Sequence, residues 1–368
     1  MSNVFETIAT PGVRFLQPYL PGKPAEEVER ELGLTDVVKL ASNESPLGPS
    51  PLALEAIRNG LGSLERYPDG AAYHLRKALA EHVGVGEAQL TIGNGSNDVL
   101  DLVARAFVTA EHEVIFPQYG FVVFGVATQS VGAASIVVPA KDWGADLEAM
   151  ASAVTDRTRL VFIANPNNPT GTWVASEQLQ SFISALPEHV LVVVDEAYVE
   201  FVDQPDYESC IGWLERFPNL IVTRTFSKAY GLAGLRVGYA VSHPDLADYM
   251  NRVRHPFNVN SLALIAAQAA LDDHAHVKAS VDLNRVGSAQ LRSACTELGL
   301  PFIPSAGNFL TVDVGRLAGP VFEALLRLGV IVRPVANYGM PNHLRITVGR
   351  ESDNVRVIDA LTRVLAND

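Results

Sequence analysis

The sequence predicts an α/β fold: a mainly parallel sheet covered by helices, followed by a smaller α+β unit. Two observations lead there. First, short β-branched or aliphatic runs alternate with helical patterns: "EVIFP" at 113–117, "ASIVVPA" at 134–140, "RLVFIANP" at 159–166, "HVLVVVDEAY" at 189–198 and "NLIVTRTFS" at 219–227. They are apolar throughout, as strands are when helices bury both faces of a parallel sheet. Second, the pattern changes near residue 270, where "GLPFIPSAGNFLTVDVG" and "LGVIVRPV…HLRITVG" read as strands of a second unit.

Taken in chain order, residues 1–45 form a polar arm counted with the smaller unit. The turn-rich "PLGPSP" then leads into a large domain, 46–270, and residues 271–368 form the small one. Gly120 to Ala140 is apolar on average, but Gly125, Thr128, Gln129, Ser130 and Gly132 interrupt it, so a buried helix and then a strand are expected rather than a membrane span. One long helix is expected over Ser261 to Ala279.

At 368 residues and 48% hydrophobic content the chain can bury a sizeable core. Its 41 acidic and 28 basic residues leave a formal charge of -13, which argues against nucleic-acid or anionic-membrane partners. An anionic ligand must then be held by a few local cations. Cys210 and Cys295 lie far apart without metal-ligand spacing, so no disulfide framework and no metal site are expected. "MSNVFETIATPGVRF" shows no basic region followed by an apolar core, and a cytoplasmic protein is expected.

In doubly covered parallel sheets, ligands bind beyond the carboxyl ends of the strands, and those positions carry the chemistry-bearing residues. Asp195 ends the run Val190 to Val194, where it either meets a cation or caps the following turn. Asn168 sits in "NPNNPTG", a proline-fixed turn that can aim an amide at a ligand. "TIGNGSNDVLDLVARAF" passes from a strand through small residues into a helix starting near Ser96, whose free amides suit an anion. "TRTFSKAYGLAGLRVGY" places Ser227, Lys228 and Arg236 among glycines and apolar residues, where a desolvated lysine becomes a usable nucleophile or base. One aspartate, an amide, a helix start, a serine, an arginine and a lysine amine together suit pyridoxal 5'-phosphate.

At this point the sequence resembles the histidinol-phosphate aminotransferase family, fold-type I pyridoxal-phosphate enzymes with an aspartate-aminotransferase-like large domain. "ASNESPLGPSP", "RYPDG", "GNGSND", "PQYGF", "NPNNPTG", "VVVDEAYVEF", "TFSKAYGLAGLRVGY" and "LRITVG" occur in that family's order. The resemblance implies that Lys228 holds the cofactor aldehyde and shuttles the proton at the substrate's α carbon. Asp195 would face the pyridinium nitrogen, Tyr198 and Asn168 the ring's phenolate oxygen, and Tyr119 would stack on the ring. Ser96, Asn97, Ser227 and Arg236 would hold the phosphate, with Tyr67 reaching it from the other subunit of a homodimer.

Arg345 would grip the anionic end of the substrate, with Arg333 and Tyr19 as further contacts. The implied reaction is transamination of histidinol phosphate with 2-oxoglutarate, an amino donor and a 2-oxo acid sharing one pocket. Leu47 departs from the family, many members being aromatic there, which bears on substrate choice. An aromatic amino-acid aminotransferase and a phospho-amino-acid decarboxylase are the rival activities. A cofactor-binding regulator lacks the basic helix-turn-helix it needs ahead of Pro46, and a Rossmann oxidoreductase lacks GxGxxG.

Overall fold

In the computed structural model, residues 4–14, 16 and 22–366 are described. The arm contributes β1 (Val38–Lys39). The central sheet is built from β2 (Leu90–Gly93), β3 (Glu113–Pro117), β4 (Ala134–Val138), β5 (Thr158–Ala164), β6 (Leu191–Asp195), β7 (Leu220–Thr225) and β8 (Gly238–Ser242). Their order across the sheet is β2-β8-β7-β6-β5-β3-β4. Only β8 runs antiparallel, against both β2 and β7.

Neighbouring residues of one strand enter opposite cores, as the two-residue period of a strand requires. Val161 and Ile163 pack on one side with Val192 and Val194, while Leu160 and Phe162 pack on the other with Val193 and Ile221. Burial on both faces is why these strands read as uninterrupted apolar runs.

The remaining strands are β9 (Phe302–Ile303), β10 (Phe309–Asp313), β11 (Val330–Ile331), β12 (Arg333–Pro334) and β13 (His343–Thr347). Four of them form a sheet in the order β12-β13-β10-β9, and β11 pairs in parallel with β1 of the arm. A separate core, with Leu310, Val312, Leu344, Ile346 and Val357, lies against this sheet.

Local chemistry sets the helix starts. Ser50 accepts a hydrogen bond from the Ala53 amide at 3.0 Å and Pro51 opens the helix Pro51–Gly60, so "PLGPSP" is a cap as well as a turn. The stretch after Gly120 forms the helix Val122–Ser130 and then β4. The single helix expected over Ser261 to Ala279 is instead two, Ser261–Asp272 and His274–Glu297. Asp273 leaves helical geometry (φ -90, ψ 62), and its side chain accepts from the His276 amide at 3.1 Å. An aspartate that caps the next helix ends the previous one, a signal legible in "LDDHAH" that apolar periodicity overrode.

Candidate active site

The carboxyl ends of β5, β6 and β7 open into a cleft of about 360 Å³, within the range of small-molecule sites. Ser96, Asn97, Asn168, Asp195, Tyr198, Ser227, Lys228, Arg236, Arg333 and Arg345 all line it. The fold therefore gathers residues separated by up to two thirds of the chain. A wider groove of about 910 Å³ around Trp143, Trp173 and Phe182 is bordered by none of them.

Asp195 and Thr223 are register partners on β6 and β7, and the Thr223 hydroxyl donates to the Asp195 carboxylate at 2.9 Å. The carboxyl group is only 3% exposed. Burial pushes its pKa up to about 6, with the Thr223 hydrogen bond partly opposing the rise. A buried carboxylate disfavoured in this way gains from a cationic ring nitrogen placed against it.

Lys228 is half-buried, and its ammonium donates to the Ser42 carbonyl at 3.1 Å. Burial, and then the nearby Arg345 guanidinium, lower its pKa to about 7. The amine is thus largely neutral just above neutrality and can add to an aldehyde. Capture of pyridoxal phosphate by cofactor-free protein is expected to accelerate with pH around a midpoint near 7. Replacing Arg345 by methionine is expected to move that midpoint upward, because the cation that disfavours the ammonium is gone. Stopped-flow absorbance across pH 6 to 10, a range of about four units chosen to bracket the shift, checks both; a midpoint that does not move on losing Arg345 contradicts the assignment.

The third element is an anion cradle. The helix Ser96–Phe107 begins after Gly95, which has a φ of 90 and no side-chain cap, so its first amides face the cleft. A Cβ on Gly95 would stand 2.5 Å from the Arg236 guanidinium, so glycine lets cation and helix start share one spot. Arg236 also donates to the Ser227 hydroxyl at 3.3 Å. Gly231 does the same for backbone approach, since a Cβ there would lie 2.0 Å from the Gly48 carbonyl. Gly234, in the same loop, meets no such crowding.

Across the cleft, Arg333 and Arg345 are directly opposed on antiparallel β12 and β13. Like charges at opposed positions destabilise a sheet, and an anion between them relieves that. Arg345 donates to the Asn168 side-chain oxygen and to the Ala41 carbonyl, the latter at 2.8 Å. The Asn165–Pro166 and Asn168–Pro169 bonds in that turn are cis.

These features answer the donor set of pyridoxal 5'-phosphate: an anion cradle, a neutral amine and a buried carboxyl, all on one cleft. Asp195 lines the cleft and accepts from the Thr223 hydroxyl and from the Ala197 amide of the turn that follows β6.

Three other residues that the sequence singles out, Tyr119, Tyr67 and Leu47, are not among the described residues lining the cleft. The Tyr119 carbonyl is held by the Asn167 amide at 2.9 Å and its ring lies tilted on Trp143 at 5.3 Å, while Phe121, two residues on, borders the cleft instead. Tyr67 is 83% exposed and stacks on Phe257, away from its own chain's cleft. Tyr19 lies outside the described residues. Leu47 does not border the cleft of its own chain.

Arg224, which the sequence left without a role, alternates with Thr223 and Thr225 along β7 and turns away to Glu196. They pair at 2.9 Å, and Glu196 also accepts from Ser209 and the Cys210 amide. Ser42, Asn43, Glu44 and Tyr338, not singled out by the sequence, also line the cleft. "ASNES" offered only the signal of an Asn in a turn-rich stretch; Asn43 indeed takes a φ of 53. Among the described residues no group of three or more His, Cys, Asp or Glu side chains could hold a metal ion, and no helix is long and apolar enough to cross a membrane.

The family model for aminotransferases of class I and II matches residues 35–361. The chain is 57% identical over 363 residues to histidinol-phosphate aminotransferase 1 of Nitrosococcus oceani, covering 99% of this chain and 98% of that one. It is 57% identical over 368 residues to histidinol-phosphate aminotransferase 2 of Pseudomonas fluorescens, covering 100% of both. The crystal structure of histidinol-phosphate aminotransferase from Sinorhizobium meliloti in complex with pyridoxal-5'-phosphate superposes with a TM-score of 0.90 at 33% identity, covering 98% of each chain. Aspartate aminotransferase from Thermus thermophilus with maleate shares the fold, with a TM-score of 0.83 at 23% identity over 97% of this chain and 99% of that one.

Proposed function

The chain belongs to the class I and II aminotransferases, and to the histidinol-phosphate aminotransferases among them; from that premise we propose that it moves the amino group of L-histidinol phosphate to 2-oxoglutarate, giving imidazole acetol phosphate and L-glutamate. The observation that carries the reading is the opposed pair Arg333 and Arg345 beside Lys228 in one cleft. One cationic pocket then serves a phosphate in one half-reaction and a carboxylate in the other.

When bound, pyridoxal 5'-phosphate supplies an aldehyde that condenses with amines and a pyridine ring that accepts electron density from the substrate's α carbon. Asp195 would hold negative charge against the ring nitrogen and keep it protonated. Ser96, Asn97, Ser227 and Arg236 would bind the phosphate. Asn168 and Tyr198 would orient the ring through its oxygen substituent. Lys228 would move the proton: its Nζ, left unprotonated just above neutrality by burial and Arg345, would take it from the substrate's α carbon and deliver it to the carbon that was the cofactor's aldehyde. Arg345 and Arg333 orient the substrate so that its α hydrogen faces that nitrogen.

The same reading makes the enzyme a homodimer in which Tyr67, exposed in the single chain, completes the phosphate site of the other subunit. It also divides the chain at about residues 45 and 270, in keeping with two sheets that have separate cores. A cytoplasmic location goes with it, supported by the buried free thiols of Cys210 and Cys295.

A donor panel with 2-oxoglutarate tests the substrate. We expect kcat/KM for histidinol phosphate to exceed that for phenylalanine by at least about 100-fold, because a site built for a polar, charged donor is left with unpaired groups by an apolar one. A ratio below one supports the aromatic aminotransferase instead, and carbon dioxide release without consumption of 2-oxoglutarate supports the decarboxylase.

A further inference from the structure

Three consecutive residues of the arm each answer a different side chain of the cleft. The Ala41 carbonyl accepts from Arg345 at 2.8 Å, the Ser42 carbonyl from Lys228 at 3.1 Å, and Asn43 faces the Tyr198 hydroxyl at 2.9 Å. The first two contacts are made by backbone. Only Asn43 does it with a side chain, which makes its contribution specific to sequence.

The surrounding bonds dictate which end of the Asn43 amide faces Tyr198. The Thr347 hydroxyl oxygen accepts the Asn43 backbone N–H at 2.9 Å, so its own proton must find an acceptor, and Asn43 Oδ1 lies 3.2 Å away. With Oδ1 taken, Nδ2 is the end toward Tyr198 and donates to the phenolic oxygen. The Asn43 carbonyl is in turn held by Asn308 Nδ2 at 3.1 Å. Asn43 is 1% exposed and adopts a φ of 53, a left-handed conformation that asparagine tolerates better than most residues.

We propose that Asn43 is a positioning residue for Tyr198: by donating to the phenolic oxygen it turns the Tyr198 O–H away from itself and into the cleft. A hydroxyl that accepts on one side has its single proton free for the other. Without that donor, the hydroxyl can turn its proton toward Asn43's side and offer the cleft only a lone pair. The consequence falls on the negatively charged oxygen of the bound cofactor's ring, which a donated O–H stabilises and a lone pair repels. This rests on the reading that Tyr198 meets the cofactor ring, and the test separates the two.

The charged and titratable groups around Tyr198 are Arg345, Asp195, Lys228, whose amine lies 5.8 Å from the Tyr198 ring centre, and Tyr338. The variants below leave all four in place. Asn43→Gly suits the positive φ, so it deletes the amide without backbone strain; Asn43→Ala serves as the second deletion.

The readout is the pH midpoint of the absorbance change of cofactor bound to the holoenzyme. Tyr198→Phe is expected to raise the midpoint, because the deprotonated form loses its donor. Asn43→Gly and Asn43→Ala are expected to raise it in the same direction by about 0.5–1 unit, the scale of one neutral hydrogen bond. In a Tyr198→Phe background, Asn43→Gly should add nothing. An unchanged midpoint in Asn43→Gly alongside a shift in Tyr198→Phe overturns the proposal and leaves Asn43 a structural contact. A further shift in the double variant also overturns it, since Asn43 would then act by another route. No shift in Tyr198→Phe itself defeats the reading of Tyr198 on which the proposal stands.

Discussion

Lys228→Ala is expected to abolish covalent retention of the cofactor and to lower the rate of amino transfer by at least about 10⁴-fold, the combined scale of a lost nucleophile and a lost general base. Among the described residues Lys228 is the only lysine lining the cleft, so no neighbouring amine there can substitute. Borohydride treatment should fix the cofactor to the native protein at Lys228 and leave the variant unlabelled. A variant that keeps more than a tenth of native activity, about 1.4 kcal/mol from native, would refute the assignment.

The same change has an opposite effect on stability, with a defined dependence on pH. The Lys228 pKa falls from 10.5 in the unfolded chain to about 7 in the fold. The folded protein therefore binds fewer protons than the unfolded one between those values, and stability rises with pH across that window. The amine's cost is fully present below about pH 7 and vanishes toward 10.5. Cofactor-free Lys228→Ala should accordingly melt above the cofactor-free native protein at pH 6, with the difference shrinking as pH rises. A difference that grows with pH would mean the amine is not desolvated in the fold.

Lys228→Ala also serves as one half of a complementation test for the shared site. Mixed dimers of Lys228→Ala and Tyr67→Ala contain one site with both native residues if Tyr67 acts across the interface. Refolding the two together should give more activity than either alone. No recovery would show that Tyr67 does not act across the interface.

Asp195→Asn is the second large effect expected. The amide keeps the shape and can still meet the Thr223 hydroxyl, but it cannot hold a protonated ring nitrogen. Removing one partner of a buried ion pair costs about 4 kcal/mol, which corresponds to a fall in activity of roughly 10³-fold. Activity within tenfold of native would show that the ring nitrogen does not depend on this carboxylate.

Here the stability sign is that of a raised acid. The carboxyl pKa moves from 3.8 to about 6, so the folded protein holds the extra proton between those values and stability falls as pH rises through them. The cost stays in place above about 6. The cofactor-free asparagine variant should therefore be more stable than native at neutral pH and lose that advantage in acid, as a thermal scan at several pH values would reveal. A site carboxylate held at a cost to the empty protein is the usual signature of a group kept for its ligand.

Much of the site was legible in the sequence for a reason rooted in sheet geometry. Asp195, Asn168, Ser227 and Lys228 each follow an apolar run, and in a parallel sheet covered on both faces the ends of adjacent strands must converge. The small residues of "GNGSND" marked where β2 passes into the helix that starts at Ser96. The helix boundary at Asp273 was legible too, but apolar periodicity outweighed a single capping residue.

Chain pattern alone determined the fold class, the strand ends that carry chemistry and the set of functional groups available. Tertiary structure decided which way those groups face and what they meet. Arg224 and Thr223 are neighbours in sequence, yet one pairs with Glu196 and the other with Asp195, because successive residues of a strand point to opposite faces. Phe121 borders the cleft, while the Tyr119 ring packs on Trp143, brought in from another loop. Asn43 meets Tyr198 across 155 positions and Thr347 across 304. A local pattern carries no trace of such contacts: each side chain satisfies its hydrogen bonds with partners that only the folded chain brings within reach.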